Sequence, residues 1–242
     1  MNAPLASPHR SSASQLRIGG FTPFSVVDFP NQLSAVVFCQ GCPLNCFYCH
    51  NRHLIPPKAE HKLGWETVVA YLATRKGLLD AVTFSGGEPL AQNALKSSVM
   101  KVKEMGFSVG LHTAGPFPSK LAGALPHITW VGLDVKTQFD SYECVTGVKG
   151  SGSRAEQSLD LILESGVKYE VRTTVPSDGS QNSRIMTLVD TLAAKGVKHF
   201  ALQQERQIND DTKTMSNIFN NVEFLHSARS KFDSFDVRLA HA

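Results

Sequence analysis

Four of the chain's five cysteines fall within eleven residues, in the pattern Cys39-x2-Cys42-x3-Cys46-x2-Cys49-His50, and the fifth, Cys144, stands alone. A disulfide framework does not suit them. The cysteine number is odd, the chain is 242 residues long, and the first fifteen residues carry Pro, Ser and Ala but no apolar h-region of a secretory leader. The expected compartment is the reducing cytoplasm. Closely spaced thiolates on one irregular loop can instead wrap a soft centre, either Zn²⁺ or an iron–sulfur cluster. For zinc, Cys39, Cys42, Cys46 and Cys49 could all serve, or His50 could replace one of them. The inner triplet Cys42-x3-Cys46-x2-Cys49 allows another arrangement, in which three thiolates bind three irons of a [4Fe–4S] cubane and the fourth iron stays open. Cys39 ends the apolar run 33–38 and fits a buried core thiol better than a ligand.

Composition excludes several classes. Apolar residues are 42% and charged residues 19%, enough for a sizeable core. With 24 Lys+Arg against 21 Asp+Glu the formal charge is +3 and no basic run occurs, so nothing points to nucleic acid. No window of about 18 apolar residues suggests a membrane span. Residues 1–16 read as a disordered tail and 17–242 as one domain.

Strand patterns at 33–38, 81–84, 107–112, 128–133, 168–174 and 198–203 alternate with helix patterns at 64–76, 91–105, 153–165 and 182–195, with a last helix near 214–230. Helices end in glycine before the next strand at Gly77, Gly106, Gly166 and Gly196. Repeated βα units imply a parallel sheet with right-handed crossovers. Six units, with no room for eight, predict an α/β fold in the form of a partial, open, TIM-like (β/α)6 barrel. A short seventh strand from Phe235 to Leu239 is compatible with it. In such architectures the site lies at the carboxyl ends of the strands, where the cysteine loop, Ser85–Glu88, His112-Thr113 and Asp134-Val135-Lys136 all fall.

The second motif, Ser85-Gly86-Gly87-Glu88-Pro89, follows the strand pattern Ala81–Phe84. Paired glycines let a backbone approach a ligand closely, and a carboxylate can accept from an ammonium group. An ordinary β-to-α turn has the same composition. In order and spacing, Cys42-Pro43-Leu44-Asn45-Cys46-Phe47-Tyr48-Cys49 followed by this segment resembles the CxxxCxxC and GGEP motifs of the radical S-adenosylmethionine (SAM) superfamily. The lead-in Gly20–Pro30 is similar to the G-x5-S-x2-D-x-P segment of glycyl radical enzyme activators. Asn31 stands where that group has glycine, and asparagine tolerates the same positive φ. Gln40-Gly41-Cys42, Tyr48-Cys49-His50-Asn51, Asp134-Val135-Lys136 and the Arg172 strand fit the same group. The Leu111-His112-Thr113 and Arg172–Val175 segments look most like activating proteins of anaerobic ribonucleoside-triphosphate reductase.

The resemblance, which covers about residues 17–205, implies a [4Fe–4S] cluster on Cys42, Cys46 and Cys49, with SAM chelating the open iron. It implies Tyr48 and the His50 backbone beside the adenine, and Gly86, Gly87 and Glu88 at the methionine amine. Lys136 and Arg172 would meet the SAM carboxylate or ribose, with Asp134 positioning Lys136 or a cation. His112 would either hydrogen-bond SAM or be a satisfied core histidine; it cannot supply the charge of the aspartate that formate-lyase activators use toward a monovalent cation. The implied reaction starts with an external one-electron donor such as flavodoxin or ferredoxin. One electron passes into the sulfonium, methionine leaves, and the 5′-deoxyadenosyl radical takes hydrogen from a glycine of a partner glycyl radical enzyme. A radical SAM enzyme acting on a small molecule or peptide would share these motifs, and a zinc-binding interaction module would share only the first. Gln203 and Gln204 are placed to line the mouth. Cys144 is expected on a surface loop, Ser141–Gly147, and has no assigned role.

Overall fold

A computed structural model describes residues 13–59, 63–206 and 215–240. Eight strands form one sheet in chain order: β1 (Ile18–Ser25), β2 (Ser34–Cys39), β3 (Ala81–Gly86), β4 (Ser108–Thr113), β5 (Trp130–Asp134), β6 (Lys168–Val175), β7 (His199–Gln204) and β8 (Ser234–Arg238). Strands β2 to β8 run parallel, and β1 pairs antiparallel with β2. The six predicted strands are β2 to β7, and the compatible seventh is β8. Pairing runs only between neighbours in this order, so β1 and β8 remain as edges and the barrel is open. The unforeseen strand is β1. Its sequence, IGGFTPFS, holds two glycines and a proline and is only partly buried, so neither strand periodicity nor propensity marks it.

The helices are α1 (Trp65–Ala73), α2 (Leu95–Glu104), α3 (Pro118–Ala124), α4 (Tyr142–Thr146), α5 (Ser151–Ser165), α6 (Asn182–Ala194) and α7 (Val222–Arg229). The glycines predicted to stop helices at 77, 106, 166 and 196 all adopt positive φ. Two short helices escaped prediction. In α3, PSKLAGA buries only Leu121 and Ala124, and α4 is five residues long. Cys144 therefore lies on α4, not on a loop; its exposed thiol donates to the Ser141 carbonyl at 2.8 Å. Of the predicted tail, residues 1–12 lie outside the described residues, Ala13–Gln15 form a 3-10 turn, and Leu16 is buried. Residue 214, the first of the last predicted helix, also lies outside them; the segment that follows becomes a 3-10 turn, Asn217–Asn220, and then α7.

Apolar side chains are divided between two places. A large core fills the space between the sheet's outer face and the helices, including Val37, Phe84, Leu111, Leu133, Leu159 and Leu202. A small separate cluster of Phe29, Ala81 and Trp130 closes the barrel floor at the amino ends of the parallel strands. Phe29 comes from the β1–β2 connection. That connection turns through Asn31, whose φ of 58° is the only positive φ of a non-glycine residue among the described residues. Asparagine thus fills the left-handed position expected of it.

Candidate active site

The cysteine loop leaves the carboxyl end of β2. Its start is pinned by backbone bonds from Gly41 N to Leu54 O (2.8 Å) and from Cys42 N to Ile55 O (3.0 Å). The Gln40 amide donates to the carbonyls of His53 (3.0 Å) and Pro56 (2.7 Å), closing the loop on itself. Its centre hangs on α4, where Asn45 N donates to Thr146 O (2.9 Å) and Phe47 N to Val145 O (3.3 Å). Those are carbonyls of a last helical turn, which have no partner within the helix. Cys46 is buried, Cys42 and Cys49 are partly exposed, and none forms a disulfide. Cys39 is fully buried in the core, as expected for the end of β2.

The second motif packs directly beneath this loop. Cys39 pairs with Gly86 across β2 and β3, Gly87 N donates to Cys39 O (2.9 Å), and Glu88 N donates to Gly41 O (2.9 Å). A Cβ at Gly86 would strike the Cys39 backbone, and one at Gly87 would strike the carbonyls of Gly41 and Leu54. The glycine pair therefore lets two backbones meet. Glu88 points inward. Oε1 accepts from Leu90 N (3.0 Å) and Thr113 Oγ1 (2.7 Å), and Oε2 accepts from Ala114 N (2.9 Å). Burial pushes its carboxyl up to about 7 against these three donors, which favour the anion. The carboxylate is thus engaged by the chain itself.

Beside the cysteines, Lys136 follows β5. Its ammonium lies 5.9 Å from the Tyr48 ring centroid, and its backbone N–H donates to Tyr142 Oη (2.9 Å). Burial opposes the charge on Lys136, but Tyr48, Cys46 and Asp134 outweigh it and hold the ammonium well above the usual lysine range. The hydroxyl of Tyr48 is buried with no hydrogen-bond partner among the described residues. His50 is exposed at the rim. One step lower on the inner face lie Asp134, Arg172 and His112. Arg172 Nε bonds Asp134 Oδ1 (3.2 Å), and its Nη1 is 3.4 Å from His112 Nε2. The predicted residues thus form two tiers, a mouth with the cysteines, Tyr48, His50, Gly86, Gly87, Glu88 and Lys136, and a lower tier joined through Asp134. Gln203 and Gln204 end β7, both partly exposed. Sequence reasoning passed over Tyr142, Trp130 and Gly132, and gave Thr113 no partner, because their roles depend on residues distant in the chain.

The donor set suits a soft centre. Three reduced thiols share one loop beside a cation, and burial pushes Cys42 up to about 12 and raises Cys46 as well, so metal binding would release protons. Among the described residues no three His, Cys, Asp or Glu side chains are grouped as a single-ion site. Thiolates that bind separate irons of a cubane need not converge on one point.

Residues 36–200 match the model of the radical SAM superfamily. The chain belongs to that superfamily, and its cofactors are a [4Fe–4S] cluster and SAM. Over 194 residues it is 30% identical to a candidate glycyl-radical enzyme activating enzyme of Methanocaldococcus jannaschii, covering 77% of this chain and 79% of that one. Over 178 residues it is 34% identical to the pyruvate formate-lyase-activating enzyme of Clostridium pasteurianum, covering 69% and 73%. It is an enzyme of this activating class. The fold is shared with Streptococcus suis SuiB bound to S-adenosylmethionine (TM-score 0.63, 16% identity), covering 84% of this chain and only 49%, about half, of that one. No helix among the described residues is long and apolar enough to cross a membrane.

Proposed function

We propose that the chain activates a glycyl radical enzyme, that Cys42, Cys46 and Cys49 hold the cluster, and that the mouth orients SAM over it. One observation carries this reading. The parallel register of β2 and β3 stacks the cysteine loop on the Gly86-Gly87 turn, with Lys136 alongside. Bound together, the cluster and SAM supply a one-electron bond cleavage and a hydrogen abstraction from glycine; the rest is positioning. Lys136 and Arg172 provide cations for the carboxylate of SAM, and the backbone at Gly86–Glu88 provides acceptors for its amine. Tyr48 and the His50 backbone flank the adenine, and Asp134 holds Arg172 in place. The partner's glycine-bearing segment enters through the gap between β1 and β8, and the electron comes from an external flavodoxin or ferredoxin.

Leu111–Thr113 and Arg172–Val175 favour anaerobic ribonucleoside-triphosphate reductase as the partner. The 34% identity to the Clostridium pasteurianum enzyme favours pyruvate formate-lyase as the second reading. The test mixes the reduced holoenzyme and SAM with each purified partner and records the electron paramagnetic resonance spectrum. A glycyl doublet with the reductase alone supports the first reading, and a doublet with the lyase alone supports the second. SAM cleavage with a doublet from neither would move the activity to a small-molecule or peptide substrate.

A further inference from the structure

The lead-in turn between β1 and β2 is held by side-chain bonds of its own. Ser25 Oγ donates to Asp28 Oδ2 (2.5 Å) and accepts from Val27 N (3.2 Å). This staple, with Asn31 in the left-handed region, carries Phe29 against Trp130 (ring centroids 5.6 Å apart) and turns the Asp28 carbonyl up into the barrel. There the carbonyl lies 2.9 Å from His112 Nε2, while Ser85 Oγ lies 3.2 Å from His112 Nδ1. A carbonyl oxygen can only accept, so this contact requires the proton on Nε2, and the Ser85 hydroxyl then donates to Nδ1. Burial, and then the neighbouring Arg172 charge, hold His112 well below the usual histidine range, so the ring is neutral.

The tautomer decides what Arg172 has to offer. Its Nε is taken by Asp134 and its Nη2 lies 3.4 Å from the Gly132 carbonyl, with the guanidinium 5.8 Å from the Trp130 ring. A Cβ at Gly132 would collide with that guanidinium. Nη1 has only His112 Nε2 near it among the hydrogen bonds of the described residues. If Nε2 were a bare acceptor it would capture Nη1; carrying a proton, it cannot. We infer that His112 is a positioning residue for Arg172, its Nε2 proton committed to the Asp28 carbonyl so that the Nη1 donors stay free for an anionic group of the cofactor. The inference rests on the reading of Arg172 as a SAM-binding cation.

Two measurements separate the inference from that reading. Long-range ¹H–¹⁵N spectra of the histidine-labelled holoenzyme, cluster oxidised and SAM absent, should show His112 as the neutral Nε2–H tautomer; the Nδ1–H form would overturn the inference. Equilibrium binding of SAM is then compared for three variants. H112E places an acceptor beside Nη1 and cannot donate to Asp28, so affinity should fall roughly tenfold or more, with the KM for SAM rising far more than kcat falls. H112Q keeps a donor for the carbonyl and should recover most of the affinity. R172K should weaken binding on its own. If H112E binds SAM as the wild type does while R172K is weakened, the inference fails and the Arg172 reading stands. If R172K binds unchanged, the Arg172 reading fails and takes the purpose of the tautomer with it, whatever the spectra show.

Discussion

The mouth and the floor of this barrel are made by opposite means. At the mouth, the cysteine loop is shaped mainly through main-chain groups: Cys42, Asn45, Phe47 and Gly87 donate N–H groups across it, and the Gln40 side chain binds two of its carbonyls. The three cysteine thiols there remain available, and Tyr48 Oη has no hydrogen-bond partner among the described residues. Toward the floor, side chains are taken up by one another, with Phe29 on Trp130 and His112 between the Asp28 carbonyl and Ser85. A scaffold that must receive a cofactor keeps its side chains free by letting the main chain do the holding. A scaffold that must only stay still uses them up.

The sharpest way to break that contrast is C46A. It should remove the cluster's iron and its visible absorption and reduce SAM cleavage to background, while the thermal midpoint of the metal-free protein hardly moves. Retained cleavage would remove Cys46 from the ligand set. F29A should do the reverse. Emptying the floor cluster costs about 3–5 kcal/mol in denaturant unfolding, while three thiolates still take up iron.

Glu88 sits where the two regimes meet. Its carboxyl is raised from 4.5 to about 7 by burial, so the folded state holds the proton more tightly than the unfolded one. Its contribution is fully present below pH 4.5 and is lost as pH rises to about 7, a change on the order of 3 kcal/mol. E88Q should abolish that slope in unfolding experiments across this window, at a cost of about 1–3 kcal/mol at low pH, because its amide N–H₂ faces a donor. The smallest effect is at Asn31. N31V should cost about 1–2 kcal/mol at its positive φ, while N31G should stay within about 0.5 kcal/mol of the wild type.

What could be read from the sequence follows the same division. Features written in local spacing were legible: the cysteine triplet, the glycine pair, the helices α1, α2, α5 and α6 and the parallel strands. Glu88 was recognisable as part of a motif, but its orientation was not, because the partners that turn it inward, Thr113 and Ala114, are about 25 residues away. The floor was invisible for the same reason. Phe29 and Trp130 are ordinary apolar residues until the sheet brings them together. Strand β1 was hidden by its glycines and proline, since its register is imposed by β2 and not by its own pattern.

The grip of α4 on the cysteine loop has a consequence for the order of events in the cell. Asn45 and Phe47 find their partners only at Thr146 and Val145, about a hundred residues later in synthesis. A ribosome that has made every cysteine of the triplet has not yet made the surface that shapes it. If the triplet holds the cluster as proposed, its folded binding loop exists only once the chain has been made and folded through α4.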